Sequence, residues 1–421
     1  MREVRDSGVA WIGEIPEEWS LIRFKDKYKN SKEIAGEKSI EYQRLALTLN
    51  GVVQRPKNDS DGLQPKEFDT YQVLHENDFV FKMIDLQNIS TSRVGLSPYT
   101  GLVSPAYIRF RPKNNTQYPR FIYYFLMGMY YNCVFNNLGG DGVRSALNAS
   151  DIGTLLIPYP DGKIQKQIGE SLDTICANVD TLTTNIKTQI EKLKAYKQSL
   201  ITEVVTKGLD PTVPMKDSGV EWIGEIPAHW KIQRGKALFK ETDARSADGS
   251  EELLTVSQYT GITPRSQKNV TMFEALSLEG YKICEIGDIA ANTMWLWAGA
   301  IGISEYRGVV SPSYNVYRQR SNNFAPRYLD HLLRAPMLVQ EYASLSTGIR
   351  ASRLRLYPKD FFNIMFPVPP LEEQQAILDA LNSKLSAVDR LIAIKQAKIE
   401  KLEQYKRSLI YEYVTGKREV I

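Results

Sequence analysis

The residues of this chain most able to do chemistry are Glu76 and Asp78, two carboxylates shortly before Lys82. Carboxylates spaced in this way can hold the metal of a nuclease. The same grouping is common on a solvated turn between strands, and that reading is favoured here. The other catalytic patterns are missing. There is no Gly-x-x-x-x-Gly-Lys-Ser/Thr to cradle a nucleoside triphosphate, and no Gly-x-Gly-x-x-Gly follows a strand. The run Gly139 to Gly142 is too short and wrongly placed for a cofactor loop. No Asn/Asp-Pro-Pro-Tyr/Phe, the motif that grips an extruded adenine, appears, and no Ser, Cys or His sits in a nucleophile motif. His75, His229 and His331 are isolated and read as structural or surface residues. Cys133, Cys176 and Cys284 never form a Cys-x-x-Cys pair, which argues against a zinc site and a disulfide framework and fits a reducing compartment. The chain is expected to be non-catalytic, with no cofactor or metal of its own.

What the sequence does contain is a duplication. The stretch Asp6 to Trp19 returns as Asp217 to Trp230, differing only at Ala10/Glu221, Glu17/Ala228 and Glu18/His229. A second echo links Glu191–Thr206 with Glu400–Thr415. Between these matched ends the halves agree only in scattered places, such as Val103–Tyr107 with Val310–Tyr314. Similar frames around dissimilar centres suggest one scaffold that holds two readers of different targets.

The elements that must position those readers follow from periodicity. At 421 residues, 43% hydrophobic and 24% charged, the chain can bury two cores. A net charge of +4 is only mildly basic, so nucleic-acid binding would depend on local patches. Strands are expected at Leu45–Gln54, Phe79–Ile84, Val103–Arg111 and Thr154–Tyr159, with one helix from about Pro119 to Phe135. The second half repeats the order, with a strand region at Leu253–Ile262 and a helix from about Pro326. Each half closes on a loop, Gly142–Arg144 or Gly348–Arg350, and a Pro-punctuated exit, Ile157–Pro160 or Phe366–Pro370. After each exit the apolar residues step by four and three. Leu172, Val179, Ile186, Leu193 and Leu200 form one series of sevens, flanked by Ile168, Ile175 and Leu182, with Gln189 and Tyr196 as imperfect positions. Leu381, Leu385, Val388, Ile392, Ile399, Leu402 and Leu409 repeat the pattern, interrupted by Lys395. Two such helices of some forty residues, each roughly 60 Å long, have each other as first partners. Gly208 followed by Pro211 ends the first.

The expected fold is therefore α+β: two mixed β-rich globular domains separated by two long antiparallel coiled-coil helices, with pseudo-twofold internal duplication. The boundaries read as 1–160 for the first domain, 161–207 for its helix, 208–216 for a linker, 217–370 for the second domain and 371–416 for its helix. Neither a leader peptide's apolar core nor a bilayer-spanning apolar run is present, so a cytoplasmic location and no membrane association are expected.

The repeated Asp-Ser-Gly-Val-x-Trp-Ile-Gly-Glu-Ile-Pro-x-x-Trp, with a heptad helix after each variable domain, closely resembles the specificity subunit of Type I restriction–modification systems over the whole chain. Leu371–Gln375 after the Pro-Pro pair, Gly348–Arg350 before it and Tyr405–Ile410 near the end support the resemblance. The first copy departs at Pro160–Gln165, which bears on where its helix starts and not on the family. The resemblance implies one target-recognition domain per half of a bipartite, asymmetric double-stranded DNA site. The helices would act as a spacer between half-sites. Two methyltransferase subunits would methylate adenine at N6, and motor-nuclease subunits would cleave unmodified DNA. S-adenosylmethionine, ATP and magnesium would belong to those partners. Half-sites one turn apart lie about 34–36 Å centre to centre, within the reach of such a rod. The segments holding Trp11, Ile12, Ile15 and Trp19, and Trp222, Ile223, Ile226 and Trp230, serve either as a partner surface or as brackets packing each domain onto its helix. The second reading is favoured.

Base readout needs Arg, Lys, Asn or Gln on loops, and phosphate contacts need Lys and Arg. In the first domain the candidates are Gln43 and Arg44 beside Tyr42, then Arg55 and Lys57, then Lys82, Gln87, Asn88 and Arg93, then Arg144. Those in the second domain are Gln258, Tyr259, Arg265 and Lys268, then Asn292, then Arg350, Ser352, Arg353 and Arg355. Trp295 and Trp297 stand with Asn292 in that set, although such a pair is more often core than DNA-stacking. Two rival functions remain: a self-contained nuclease or methylase, which activity of the purified chain would reveal, and a coiled-coil scaffold with two protein-binding domains. Arg350, Arg353 and Arg355 are the strongest electrostatic cluster. Neutralising all three is expected to weaken DNA binding at every sequence and to flatten its salt dependence; an unchanged salt slope would remove them from the interface.

Overall fold

In the computed structural model of the chain the described residues are 2–49, 51–58, 67–84, 86, 93–114, 118–138, 146–268, 277–348 and 354–420. They form two compact units, Met1–Ile186 with Gln396–Ile421, and Lys187–Lys395. Each unit combines one β-rich domain with the near end of one long helix and the far end of the other. The long helices run Gly162–Lys207 and Leu371–Val414.

The two domains share the strand order of one sheet. In the first, a four-stranded sheet is ordered Tyr28–Asn30, Ile108–Pro112, Phe79–Lys82, Arg93–Leu96; in the second it is Phe239–Thr242, Asn315–Gln319, Ile289–Ala291, Ile301–Ile303. Both sheets are antiparallel throughout. The first and last strands of each domain pair antiparallel, Ser20–Arg23 with Leu156–Tyr159 and Lys231–Arg234 with Met365–Val368. That pairing brings each domain's entry and exit together at the root of a long helix. Core packing is aromatic: Phe24 stacks on Tyr28 at 4.8 Å and meets Phe79, Phe81 and Phe110 edge-on. Close backbone passage recurs where glycine permits it. A Cβ on Gly101 would lie 2.5 Å from the Gln43 carbonyl, and one on Gly308 2.4 Å from that of Glu252.

Several expected elements are shorter than the sequence pattern suggested. Leu45–Gln54 is a hairpin, Arg44–Thr48 against Gly51–Arg55, with Gly51 at φ +92°, a conformation glycine permits where the chain reverses. Leu253–Ile262 is likewise the hairpin Leu254–Ser257/Gly261–Pro264. A turn from Ser104 to Tyr107 splits Val103–Arg111 into the strands Gly101–Val103 and Ile108–Pro112. The helix from Pro119 stops at Tyr131, before Cys133 at φ +55°. The one from Pro326 stops at Leu333, and Pro336 opens a new helix to Leu345.

The helices pair antiparallel within each unit. In the second, Lys197 donates to both Asp389 oxygens at 2.7 Å and Lys395 to Gln189 at 2.6 Å; in the first, Lys406 donates to Asp180 at 2.6 Å. The buried series on the first helix combines Leu172, Val179, Ile186 and Leu200 with Cys176, Thr183, Ile190 and Val204. The expected flanking series was offset by one residue: Leu182 is 48% exposed and Tyr196 53%. Polar Thr183 and Lys197 occupy the true seam, so hydrophobicity alone favoured the neighbouring row. The first helix starts at Gly162, with Asp161 accepting from the Lys163 and Ile164 amides. Gln165 donates to the Pro160 carbonyl just as buried Gln374 donates to that of Pro369. The first copy's departure from the family pattern therefore keeps the same clasp.

The repeated tryptophan segments are brackets. Ile12, Ile15, Trp19, Ile223, Ile226 and Trp230 are buried. Each indole buries on the order of 150–250 Å², or about 4–6 kcal/mol of apolar burial. The first bracket fastens to the end of the second long helix rather than to the first. Lys417 donates to the carbonyls of Ile12 and Glu14, and Tyr411 to that of Ile12. The second bracket closes on Gly208, at the end of the first helix, while Trp230 and His229 bond Glu373. Gly416 has φ +72°, and a Cβ there would lie 2.4 Å from Pro16 Cδ. Gly416→Val is expected to cost about 1–3 kcal/mol, lowering a thermal midpoint by about 2–4 °C per kcal/mol. An unchanged midpoint would show that this contact carries no load.

Candidate nucleic-acid interface

The hairpin Arg44–Thr48/Gly51–Arg55 brings four first-domain candidates to its open end. Arg44 and Arg55 are register partners, and Gln43 donates its amide to the Arg55 carbonyl at 2.8 Å. Arg44 reaches the Pro56 carbonyl, and Lys57 donates to those of Ser39 at 2.7 Å and Ile40 at 3.3 Å. Two guanidinium groups are thus rooted opposite each other on one ladder. Lys82 and Arg93 form a second paired position, on the ladder Phe79–Lys82/Arg93–Leu96. That ladder packs tightly on the hairpin, since a Cβ on Gly95 would lie 2.6 Å from Leu47 and 2.8 Å from Val52. Gln87, Asn88 and Arg144 lie outside the described residues, as does the side chain of Arg93.

In the second domain two of the candidates occupy a different place. Gln258 and Tyr259 stand at the tip of the hairpin Leu254–Ser257/Gly261–Pro264, not at the open end where Gln43 and Arg44 stand. Tyr259 is 82% exposed. Arg334, at the end of the helix Pro326–Leu333, donates to the carbonyls of Gln258 at 3.3 Å and Tyr259 at 2.7 Å and pairs with Asp330 at 3.4 Å. Lys268 donates to the Thr260 hydroxyl at 2.8 Å, and burial holds its pKa below the usual lysine value. Arg265 sits in a short turn just after the hairpin. Asn292 is 6% exposed: its amide donates to the Tyr314 hydroxyl at 2.9 Å and its carbonyl accepts from Met294. It braces a loop rather than presenting an edge to solvent. Exposed Arg355 pairs through its backbone with Thr347, and Arg350, Ser352 and Arg353 lie outside the described residues.

Trp295 and Trp297 are not core. Their rings stack at 5.7 Å, and Trp295 is 49% exposed. The expectation of core for them rested on the fact that a Trp pair usually marks an interior. Nothing in the sequence pointed to Arg334, and Asp78, expected on a solvated turn, is buried at 2% exposure and matched by buried Asp288 in the second domain. Asp78 accepts from Arg109 Nε at 2.6 Å and from the His75 amide at 2.8 Å; Arg109 also reaches Glu33, which meets His75 at 2.9 Å. In the second domain Asp288 accepts from Arg318 at 2.6 and 2.7 Å and from the Glu285 amide at 2.9 Å. Their matched place in the two repeats was the available signal. Desolvation holds the Asp78 pKa above the usual aspartate value, with Arg109 opposing. Asp78 thus serves as the counter-ion of a buried guanidinium, which leaves Glu76 without the second carboxylate of a nuclease-like pair. Asp78→Asn leaves Arg109 only the more exposed Glu33 as counter-ion and is expected to cost about 1.5–3 kcal/mol in a urea titration; a loss below about 1 kcal/mol would show that Arg109 is not dependent on Asp78.

No described helix is long and apolar enough to cross a membrane. The family model described as "Type I restriction modification DNA specificity domain" matches residues 20–192 and 231–404. Two relatives from Methanocaldococcus jannaschii match nearly end to end. The putative type I restriction enzyme MjaX specificity subunit is 25% identical over 445 residues, covering 97% of this chain and 96% of its own. The type I restriction enzyme MjaVIII specificity subunit is 24% identical, covering 96% and 94%. In fold, the chain is similar to one from a structure of type I R-M system assembly, at TM-score 0.68 and 14% identity, covering 96% of this chain and 99% of that one. It is also similar to the HsdS subunit from Thermoanaerobacter tengcongensis, at TM-score 0.51 and 14% identity, covering 96% and 98%. Two matched copies spanning most of the sequence place this chain in the family of Type I restriction–modification DNA specificity subunits.

Proposed function

We infer that this chain directs its restriction–modification complex to a bipartite, asymmetric DNA site, one domain reading each half. The carrying observation is that two domains sharing the strand order of one sheet display different chemistry on corresponding hairpins. The first offers Gln43, Arg44 and Arg55 at an open end; the second offers Gln258 and Tyr259 at a tip. Equal frames give the two readers equivalent mounts, and unequal surfaces make the site asymmetric. The gap between half-sites would be set by the long helices, the first of 46 residues or about 69 Å.

The chemistry is assigned to partners. Two methyltransferase subunits, carrying S-adenosylmethionine, would methylate adenine N6 in each half-site. Motor-nuclease subunits, using ATP and magnesium, would cleave unmodified DNA. This chain would contribute recognition and no catalytic group. Support for partner docking comes from apolar side chains left exposed on the helices, Leu182 and Tyr196 on one and Leu391, Ile394 and Tyr405 on the other.

Adenine-methylation mapping by long-read sequencing, with and without this gene and with its partner subunits expressed, tests the reading. The expected result is a gained motif of two short specified blocks with a constant gap. If no motif changes, the recognition role fails and a scaffold with two protein-binding domains replaces it.

A further inference from the structure

The loop Asn292–Ala300 has no charged residue, yet it holds exposed Trp295 stacked on half-buried Trp297. It is also rigid. Asn292 bonds Tyr314, and the Thr293 hydroxyl donates to the Ser313 carbonyl at 2.7 Å. The Trp297 indole donates to the Met294 carbonyl at 3.0 Å, and the Ala300 amide to that of Trp295 at 3.1 Å. Leu296 is fully buried beneath the pair. Gly299, at φ +86°, lets the loop settle on Val339, to which a Cβ there would lie 3.1 Å. Val339 belongs to the helix Pro336–Leu345, which begins two residues after Arg334, the residue that holds the hairpin tip through the Tyr259 carbonyl. One helical corner therefore holds Tyr259 and the Trp295–Trp297 stack, two of the exposed aromatic groups of this domain. The corresponding loop of the first domain, after Phe79–Lys82, contains no aromatic residue before Arg93.

An aromatic blade fixed in place but left open to solvent has the form of an apolar contact awaiting its partner. Without charge it can release no counterions, so phosphate binding is not what it offers. On the edges of duplex DNA the apolar group is the thymine 5-methyl, displayed in the major groove. Resting on the recognition reading above, we propose that the Trp295 ring, backed by Trp297, reads thymine methyl groups in the half-site of the second domain. This contact supplies base selectivity and not electrostatic affinity. The asymmetry of the two loops then makes methyl-dependent readout a property of one half-site alone.

The test uses the full chain assembled with its methyltransferase subunits and a duplex carrying the mapped site, in which each thymine is replaced in turn by uracil. The wild-type complex is expected to lose about tenfold in affinity at one or two thymines, all within one block. Trp295→Ala is expected to bind the unmodified site about tenfold more weakly, with an unchanged salt slope and no further loss on uracil substitution. Trp295→Phe should keep part of the thymine preference. Insensitivity of the wild type to every uracil, or uracil and Trp295→Ala losses that multiply, would overturn the proposal. Failure of Trp295→Ala to assemble with its partners would overturn it too, assigning the blade to a protein contact. A wild-type complex with no selective binding at all would instead sink the recognition reading beneath it.

Discussion

An indole closed over a glycine at the end of a long helix is the contact on which the frame depends. Trp19 and Pro16 cover Gly416, and Trp230 and Pro227 cover Gly208. Both glycines lie in the left-handed region just past a helix end, where a side chain would be strained and, at Gly416, would also collide. Each helix is held at its other end by a glutamine, Gln165 or Gln374, whose amide is spent on a proline carbonyl one turn back. A helix pinned at both ends, with its domain's first and last strands paired at its root, leaves that domain little freedom relative to its mount. This explains why bracket and helix ends repeat nearly residue for residue while the centres diverge: the mount is one mechanical problem solved twice.

Divergence in the centres stops at the groups that hold the sheets. Asp78 with Arg109 and Asp288 with Arg318 occupy matched positions, each acid also capping a backbone amide three residues earlier. Removing a buried charge's partner is far costlier than changing a surface residue, so such a pair is retained while hairpins and loops around it vary. The variable positions are those where replacing one polar or aromatic side chain by another changes what is presented to solvent but not what is buried.

The duplication, the α+β class and the long antiparallel helices were legible because each rests on a repeated or strongly periodic signal. The seam of the first helix was read one residue off. A series of sevens fixes one row, but the second row lies either three or four residues along, and the polar Thr183 and Lys197 concealed it. Lys197 is tolerable there because Asp389 on the facing helix accepts its charge, a fact no single helix contains. Leu45–Gln54 hid a hairpin because alternation continues on both sides of a reversal that only the left-handed Gly51 marks. The site was less legible still. A residue type says what a side chain can bind, but not whether it is free to do so, as Asn292 and Lys57 illustrate, their donors being taken by Tyr314 and by backbone carbonyls. The aromatic blade was misread for the converse reason: exposing a tryptophan is uncommon, and only tertiary structure reveals where it happens.

If mounting and reading are separate, they can be exchanged separately. The most direct measurement is the methylated motif of a chain in which residues 231–368, bounded by the paired strands Lys231–Arg234 and Met365–Val368, are replaced by the matching segment of a relative with a different target. The account predicts that one block of the motif changes while the other block and the gap stay as they were. A change in both blocks, or in the gap, would contradict it, because reading would then depend on the frame and not on the domain it carries.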